Sequence, residues 1–325
     1  MRAVQLLGPR SIALVDLPPP APAPDEVMVR IEAAGICGTD RHLFLGEFPS
    51  TPPVTLGHEF SGIVVAGDLA PGTRVTCDPN IACGTCDQCR RGRVNLCAHN
   101  IAIGIHRNGG LAQFATLPRH RAHILPADLN PLHGAFCEPL ACTLHGLDLG
   151  AVRPGERVTV LGGGVIGQLA VQLAALAGAE VMLVTRQPSK RAVARTLGAT
   201  LTATTMAEAL TLWPQGADLV LECAGVADTV QTAPLLTRTG GRIVILGVLP
   251  KGQTVQIEPF DLLFREISLI HSFLNPFTHA RATAMIATGH IVVDPLISRV
   301  IPLDQAAQAI ATPARPDDIK VIVQP

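Results

Sequence analysis

Three cysteines crowd one short segment, Cys83-Gly84-Thr85-Cys86-Asp87-Gln88-Cys89, and a fourth, Cys97, lies eight positions further on. Thiolates repeated at two-residue intervals can close a tetrahedron around zinc and leave no open position, the arrangement of a structural site. A second set is dispersed: Cys37 in Gly35-Ile36-Cys37-Gly38-Thr39-Asp40, His58 in Gly57-His58-Glu59-Phe60, and Glu138 in Phe136-Cys137-Glu138-Pro139. Thiolate, imidazole and carboxylate are all zinc ligands, and three of them with water in the fourth place make a catalytic site. Taken singly each also has an ordinary structural use, since a histidine beside glycine often serves the surrounding backbone.

The third signal is Val158-Thr159-Val160-Leu161-Gly162-Gly163-Gly164-Val165-Ile166-Gly167, a G-x-G-x-x-G straight after an apolar run. Gly162, Gly164 and Gly167 in that pattern give a tight turn, a backbone that a pyrophosphate can approach, and close packing of helix on strand. The next apolar run ends Leu183-Val184-Thr185-Arg186-Gln187-Pro188-Ser189-Lys190-Arg191. An NAD site needs an acidic residue there for the ribose hydroxyls. Arg186 stands in its place, with Lys190 or Arg191 one helical turn on, so a 2′-phosphate is the better match and NADP is favoured over NAD.

These residues need elements to position them. Up to about residue 120, short β-rich runs (Ala3–Leu7, Glu26–Ala33, Phe60–Val65, Thr73–Thr76, Ala112–Leu117) alternate with Pro and Gly clusters, which predicts an irregular β domain. From about Pro154, apolar runs at Arg157–Leu161, Val181–Thr185, Asp218–Glu222 and Arg242–Leu246 alternate with amphipathic stretches such as Ser189–Leu197 and Asp228–Leu236. That is the rhythm of a doubly wound parallel sheet. The last fifty residues revert to short strands ending in Ile319–Val323, which suggests a first domain closed by the C-terminus.

Composition excludes several classes. The 325 residues are 48% hydrophobic and only 16% charged, a folded globular chain with room for two domains. Twenty-five basic against 26 acidic side chains, with no Tyr and one Trp, suit neither a phosphate backbone nor base stacking, so nucleic acid is not expected as a partner. The uncharged run Val158–Ala179 is broken by Gly162, Gly163, Gly164 and Gly167 and reads as strand, turn and helix, so no membrane span is expected. No secretory signal is visible, and nine cysteines, an odd number with four crowded together, imply reducing conditions and a cytoplasmic location.

Together and in this order, the three motifs resemble the zinc-dependent medium-chain dehydrogenases, specifically the sorbitol/threonine/butanediol dehydrogenase-like branch, over nearly the whole chain. The resemblance implies a GroES-like β-rich catalytic domain over 1–140 and 275–325, with a structural-zinc lobe at about 77–100, and a Rossmann domain over 141–274. It implies a catalytic zinc on Cys37, His58 and Glu138, with Glu59 as an alternating or outer ligand, and a structural zinc on Cys83, Cys86, Cys89 and Cys97. Thr39 would relay the substrate proton and His42 would pass it to solvent. Val165, Ile166, Gly247, Val248 and Phe273 join the glycines as cofactor-binding positions, and Phe44, Ile105, His106, Leu274 and Asn275 are candidates for lining the substrate cleft. Where the polyol branch carries an Arg-Tyr pair, Leu274 and Asn275 stand here, which argues against sorbitol itself. The implied reaction passes a hydride between a secondary alcohol, such as a short polyol, sugar alcohol or diol, and NAD(P), in a homodimer or homotetramer. The rivals are a zinc-independent quinone or enoyl reductase and a non-enzymatic NADP-binding protein.

Overall fold

Alternation of apolar and polar residues lays down the framework of the N-terminal part. The strand Glu26–Ile36 alternates buried and open positions for its first half and is then buried continuously from Ala33 to Ile36. It is the hub of a seven-stranded sheet, pairing antiparallel with Glu59–Gly67, Phe114–Pro118 and the last strand of the chain, Lys320–Gln324. Three registers decide the chemistry: Gly35 faces Glu59, Val321 faces Ile36, and the strand stops one residue before Cys37. The computed structural model describes residues 1–325 and divides into two compact units, Met1–Ala141 with Leu274–Pro325, and Cys142–Phe273. Val4, Leu6, Val29, Ile31, Phe60, Ile103 and Leu111 pack the core of the first.

The second unit is a six-stranded parallel sheet. Its spatial order is Leu201–Ala203, Glu180–Val184, Arg157–Leu161, Ala217–Glu222, Thr237–Ile245, Ser268–His271. In chain order this is 3-2-1-4-5-6, the doubly wound arrangement, whose direction reverses between Arg157–Leu161 and Ala217–Glu222. The central strands are buried on both faces, as a parallel sheet covered by helices requires.

Strands outside the sequence expectation include Ser11–Asp16, Leu201–Ala203 and Ser268–His271. The stretch Asp228–Leu236 is not one helix but an α-helix over Ala227–Thr232 followed by a 3-10 turn over Ala233–Leu236. Pro234 is the reason, since it has no N–H to continue the ladder. The glycine-broken run at 158–179 resolves into strand, turn and the helix Val165–Leu176, and no helix is long and apolar enough to cross a membrane.

Candidate functional site

The dispersed ligands converge in the first unit. Cys37 caps the helix Gly38–Leu45: its Sγ accepts from Thr39 N at 3.5 Å, and its own N–H donates to Asp40 Oδ2 at 2.8 Å. This reciprocal cap fixes the thiol at the end of the hub strand. His58 arrives from the turn before Glu59–Gly67, and the ligand atoms of Cys37, His58 and Glu59 lie within 4.8 Å of one another. Glu138 is not in that group of three, although its charge is felt at His58.

Two further residues hold the group. Asp40 is fully buried, with Oδ1 3.7 Å from His58 Nδ1, too far to hydrogen-bond but close enough for its charge to be felt at the imidazole. Lys320 Nζ, from the C-terminal strand, donates to Glu59 Oε2 and to Ile36 O at 3.2 Å. A Cβ on Gly35 would collide with Glu59 and Lys320, so the bare glycine leaves room for this ion pair. Burial disfavours the Lys320 charge, but the Glu59 carboxylate outweighs it and holds the ammonium above its ordinary range. Burial likewise works against a charged His58, yet the neighbouring Cys37, Asp40 and Glu138 keep its pKa well above the usual imidazole value. Burial also raises the Asp40 carboxyl. A pocket of sulfur, nitrogen and oxygen donors that retains a proton on a buried histidine is one in which a divalent cation fits, in that proton's place.

The four thiolates of the lobe also lie within 4.8 Å of one another. Backbone N–H groups point at the sulfurs: Cys86 N reaches Cys83 Sγ at 3.4 Å, and Cys83 N and His99 N each reach Cys97 Sγ at 3.3 Å. Backbone donors at Thr85 and Cys86 bring the Cys83 thiol down to about 5, which favours the ionised sulfur that zinc requires.

Of the other expected residues, Thr39 Oγ1 lies 3.6 Å from Cys37 Sγ, and His42 Nδ1 lies 2.7 Å from Glu47 Oε2. Ile105 is buried and Phe44 half-buried against the core. His106 Nδ1 accepts from Ala102 N at 3.1 Å, so this ring serves its own loop. Leu274 and Asn275 line a separate cavity with Asp78 and His279.

In the second unit, Gly162 adopts φ +103°, and a Cβ on Gly167 would overlap the Gly162 carbonyl, so strand and helix approach as closely as the motif demands. Gly164 is the N-cap of Val165–Leu176 and offers no side-chain cap, leaving N–H groups for an anion. Glu222, at the end of its strand on the other side of the switch point, shapes the facing turn. Its Oε1 accepts from Ala224 N, Gly225 N and Thr229 Oγ1 at 2.9, 2.9 and 2.7 Å, and Gly247 N donates to its main-chain carbonyl at 3.0 Å. Arg186, Val248 and Phe273 are exposed, and Lys190 is half-buried. Arg191 is turned inward, Nη1 donating to Thr185 O at 2.6 Å. A dinucleotide fits this turn, which supplies an open helix N-terminus at the carboxyl edge of the sheet.

Residues 23–127 match the alcohol dehydrogenase GroES-like domain family, and residues 165–288 the zinc-binding dehydrogenase family. A zinc-binding dehydrogenase of Sinorhizobium meliloti, solved bound to NADP, superposes with a TM-score of 0.97 at 54% identity over 100% of this chain and 99% of that one. D-arabitol-phosphate dehydrogenase of Enterococcus avium is 32% identical over 98% of this chain and 96% of its own. D-altritol 5-dehydrogenase of Agrobacterium fabrum is 32% identical over 94% of each. With both domains matched and relatives aligned over nearly its full length, the chain belongs to the zinc-dependent medium-chain dehydrogenases and is an oxidoreductase of that family.

Proposed function

We propose that the protein oxidises a secondary alcohol of a short polyol or sugar alcohol, or reduces the matching ketone, with NADP and a catalytic zinc. The observation that carries the reading is the convergence of Cys37, His58 and Glu59, braced by Asp40 and Lys320. Zinc held there would supply Lewis-acid polarisation of the alcohol oxygen, and a bound nicotinamide would supply the hydride acceptor for oxidation or the hydride donor for reduction. Cys37 and His58 serve as ligands, with Glu59 or Glu138 completing the set. Thr39 takes the hydroxyl proton, and His42, on the same helix and paired with Glu47, carries it outward. Cys83, Cys86, Cys89 and Cys97 hold a second, structural zinc.

NADP is supported by Arg186 and Lys190 at the end of the second parallel strand, where no carboxylate lies between Thr185 and Arg191, and by the NADP bound to the Sinorhizobium relative. A sugar-alcohol substrate is supported by the arabitol-phosphate and altritol relatives. A homodimer or homotetramer suits the strand Ser268–His271, which forms one edge of its sheet. The deciding experiment is a panel of C4 to C6 polyols and diols, screened with NADP and NAD by the absorbance of reduced nicotinamide. A sugar alcohol or diol with NADP should give the highest kcat/KM. Primary aliphatic alcohols giving the highest value would overturn the substrate assignment.

A further inference from the structure

The helix Gly38–Leu45, which opens on Cys37, closes on a turn that does more than end it. Gly46 takes the left-handed conformation at φ +79°, and a Cβ there would press on Pro9 Cβ at 3.1 Å, so the position suits glycine alone. Its N–H donates to Leu43 O at 3.1 Å, and Glu47 N donates to His42 O at 2.9 Å. These are the two bonds of a Schellman closure, and they bend the chain so that Glu47 returns to the last turn of the helix.

The backbone return has a side-chain counterpart. Glu47 Oε2 lies 2.7 Å from His42 Nδ1, so the residue whose carbonyl takes the Glu47 N–H is also the residue whose ring meets its carboxylate. No arginine or lysine competes for that carboxylate, since the pair with His42 is the only one Glu47 makes. Arg41, next to His42 in the chain, is turned away to Ala309 O at 3.1 Å and Thr312 O at 3.5 Å. The two side chains are 24% and 34% exposed, and an ion pair so open to water contributes little to stability. Nor does the closure itself need a carboxylate, because it uses only the backbone N–H of residue 47.

What the carboxylate does fix is a tautomer. An ionised carboxylate only accepts, so Nδ1 must donate and must carry the proton of the neutral ring. Nε2 is then a bare lone pair, and it has no protein partner. For a histidine that has to take up a proton this decides the matter, since a neutral imidazole has one basic nitrogen and the other tautomer presents an N–H where the lone pair is needed.

We propose, on the reading that His42 carries the substrate proton outward, that Glu47 is a positioning residue of that path: it holds His42 as the Nδ1–H tautomer and so keeps Nε2 open to accept. The logic is that of the carboxylate behind the histidine of a hydrolase triad, which orients the ring without taking its proton. In alcohol oxidation Nε2 gains the proton that the hydroxyl loses, and the ring becomes an imidazolium whose charge faces Glu47. A proton then leaves to water, and the one that remains settles on Nδ1, where Glu47 holds it. In ketone reduction the imidazolium gives its Nε2 proton back along the same path. The carboxylate never has to carry a proton in either direction.

The test observes the tautomer itself. In protein isotopically labelled at the histidine nitrogens, at about pH 9 and so well above the ordinary imidazole value of about 6.5, long-range proton–nitrogen correlations separate a protonated ring nitrogen from a bare one, and the His42 signals are those lost in His42→Gln. Wild type should carry the proton on Nδ1. Glu47→Leu, which keeps the backbone closure, should move it to Nε2, and Glu47→Ala serves equally if Glu47→Leu does not fold. In the enzyme assay the same variant should lower kcat for alcohol oxidation about tenfold, short of the roughly 100-fold that loss of a positioned base costs, because the ring itself stays. The KM for NADP should be unchanged and the solvent deuterium isotope effect on kcat should grow, neither of which follows from a weakened fold. A wild-type proton on Nε2, a tautomer unmoved by the substitution, or a kcat unmoved once the tautomer has changed overturns the proposal. Absence of turnover with every alcohol tried, with the tautomers as expected, would instead overturn the function and leave Glu47 as the residue that sets the His42 ring.

Discussion

Replacing Lys320 with Met would put the bracing of the metal group to a direct test. The ammonium and the Glu59 carboxylate are each 1% exposed, so water screens neither. Removing one member of a buried pair strands the other charge, at a cost of about 3–5 kcal/mol. At about 2–4 °C per kcal/mol for a unit of this size, Tm of the first unit should fall by about 6–20 °C. The double variant Lys320→Met/Glu59→Gln removes both charges and should recover at least about 2 kcal/mol of that loss, since neutral replacement of a buried pair is often tolerated. Calorimetry and urea unfolding at matched zinc content measure both quantities. Because the folded pKa of Lys320 is raised above 10.5, the contribution of the pair is complete below pH 10.5 and fades only as the pH climbs through the raised value, so assays near neutrality see all of it. A Lys320→Met loss below about 1 kcal/mol, or strict additivity with Glu59→Gln, would refute the argument that this pair sets Glu59.

The remaining predictions address the other sites. Metal analysis should return two zinc ions per chain; Cys86→Ser should lose one together with thermal stability, and Cys37→Ser should lose the other together with turnover while the fold stays intact. One zinc or none in protein purified without chelators would refute this pair of roles. Arg186→Asp should shift the NADP to NAD ratio of kcat/KM by about 10- to 100-fold toward NAD, the worth of one charged hydrogen-bonding partner; a wild-type kcat/KM already higher with NAD would refute the cofactor assignment. His279, held down by burial to about 3 against 6.5 for a free imidazole, contributes stability that is complete above pH 6.5. That contribution should fall by about 1.4 kcal/mol per pH unit between pH 6.5 and 3, because the unfolded chain takes the proton first. Urea midpoints of wild type and His279→Gln should therefore converge as the pH drops, and parallel curves would refute the burial argument.

The chemistry that was legible in the sequence is the chemistry that is local. The four lobe thiolates need one compact loop, and the nucleotide turn needs only a strand, three glycines and the helix behind them, so spacing alone carries both. Cys37 was legible for a related reason: it sits where a strand hands over to a helix, and Asp40 completes the cap three residues on. The rest depends on strand pairing that no short window contains. Lys320 meets Ile36 across 284 positions and Glu59 across 261. In sequence it is merely a charge at the head of an apolar run, and that is its one local sign: Lys320–Gln324 is buried from its first residue through Val323, so the lysine must have a partner. The wall of the cavity at Leu274 and Asn275 is similar, since Asn275 reaches Asp78 across 197 positions. Read for substrate contact, Asn275 offers an amide. In the fold that amide is already engaged with Asn80, Asp78 and His279, so what it determines is which nitrogen of His279 carries the proton.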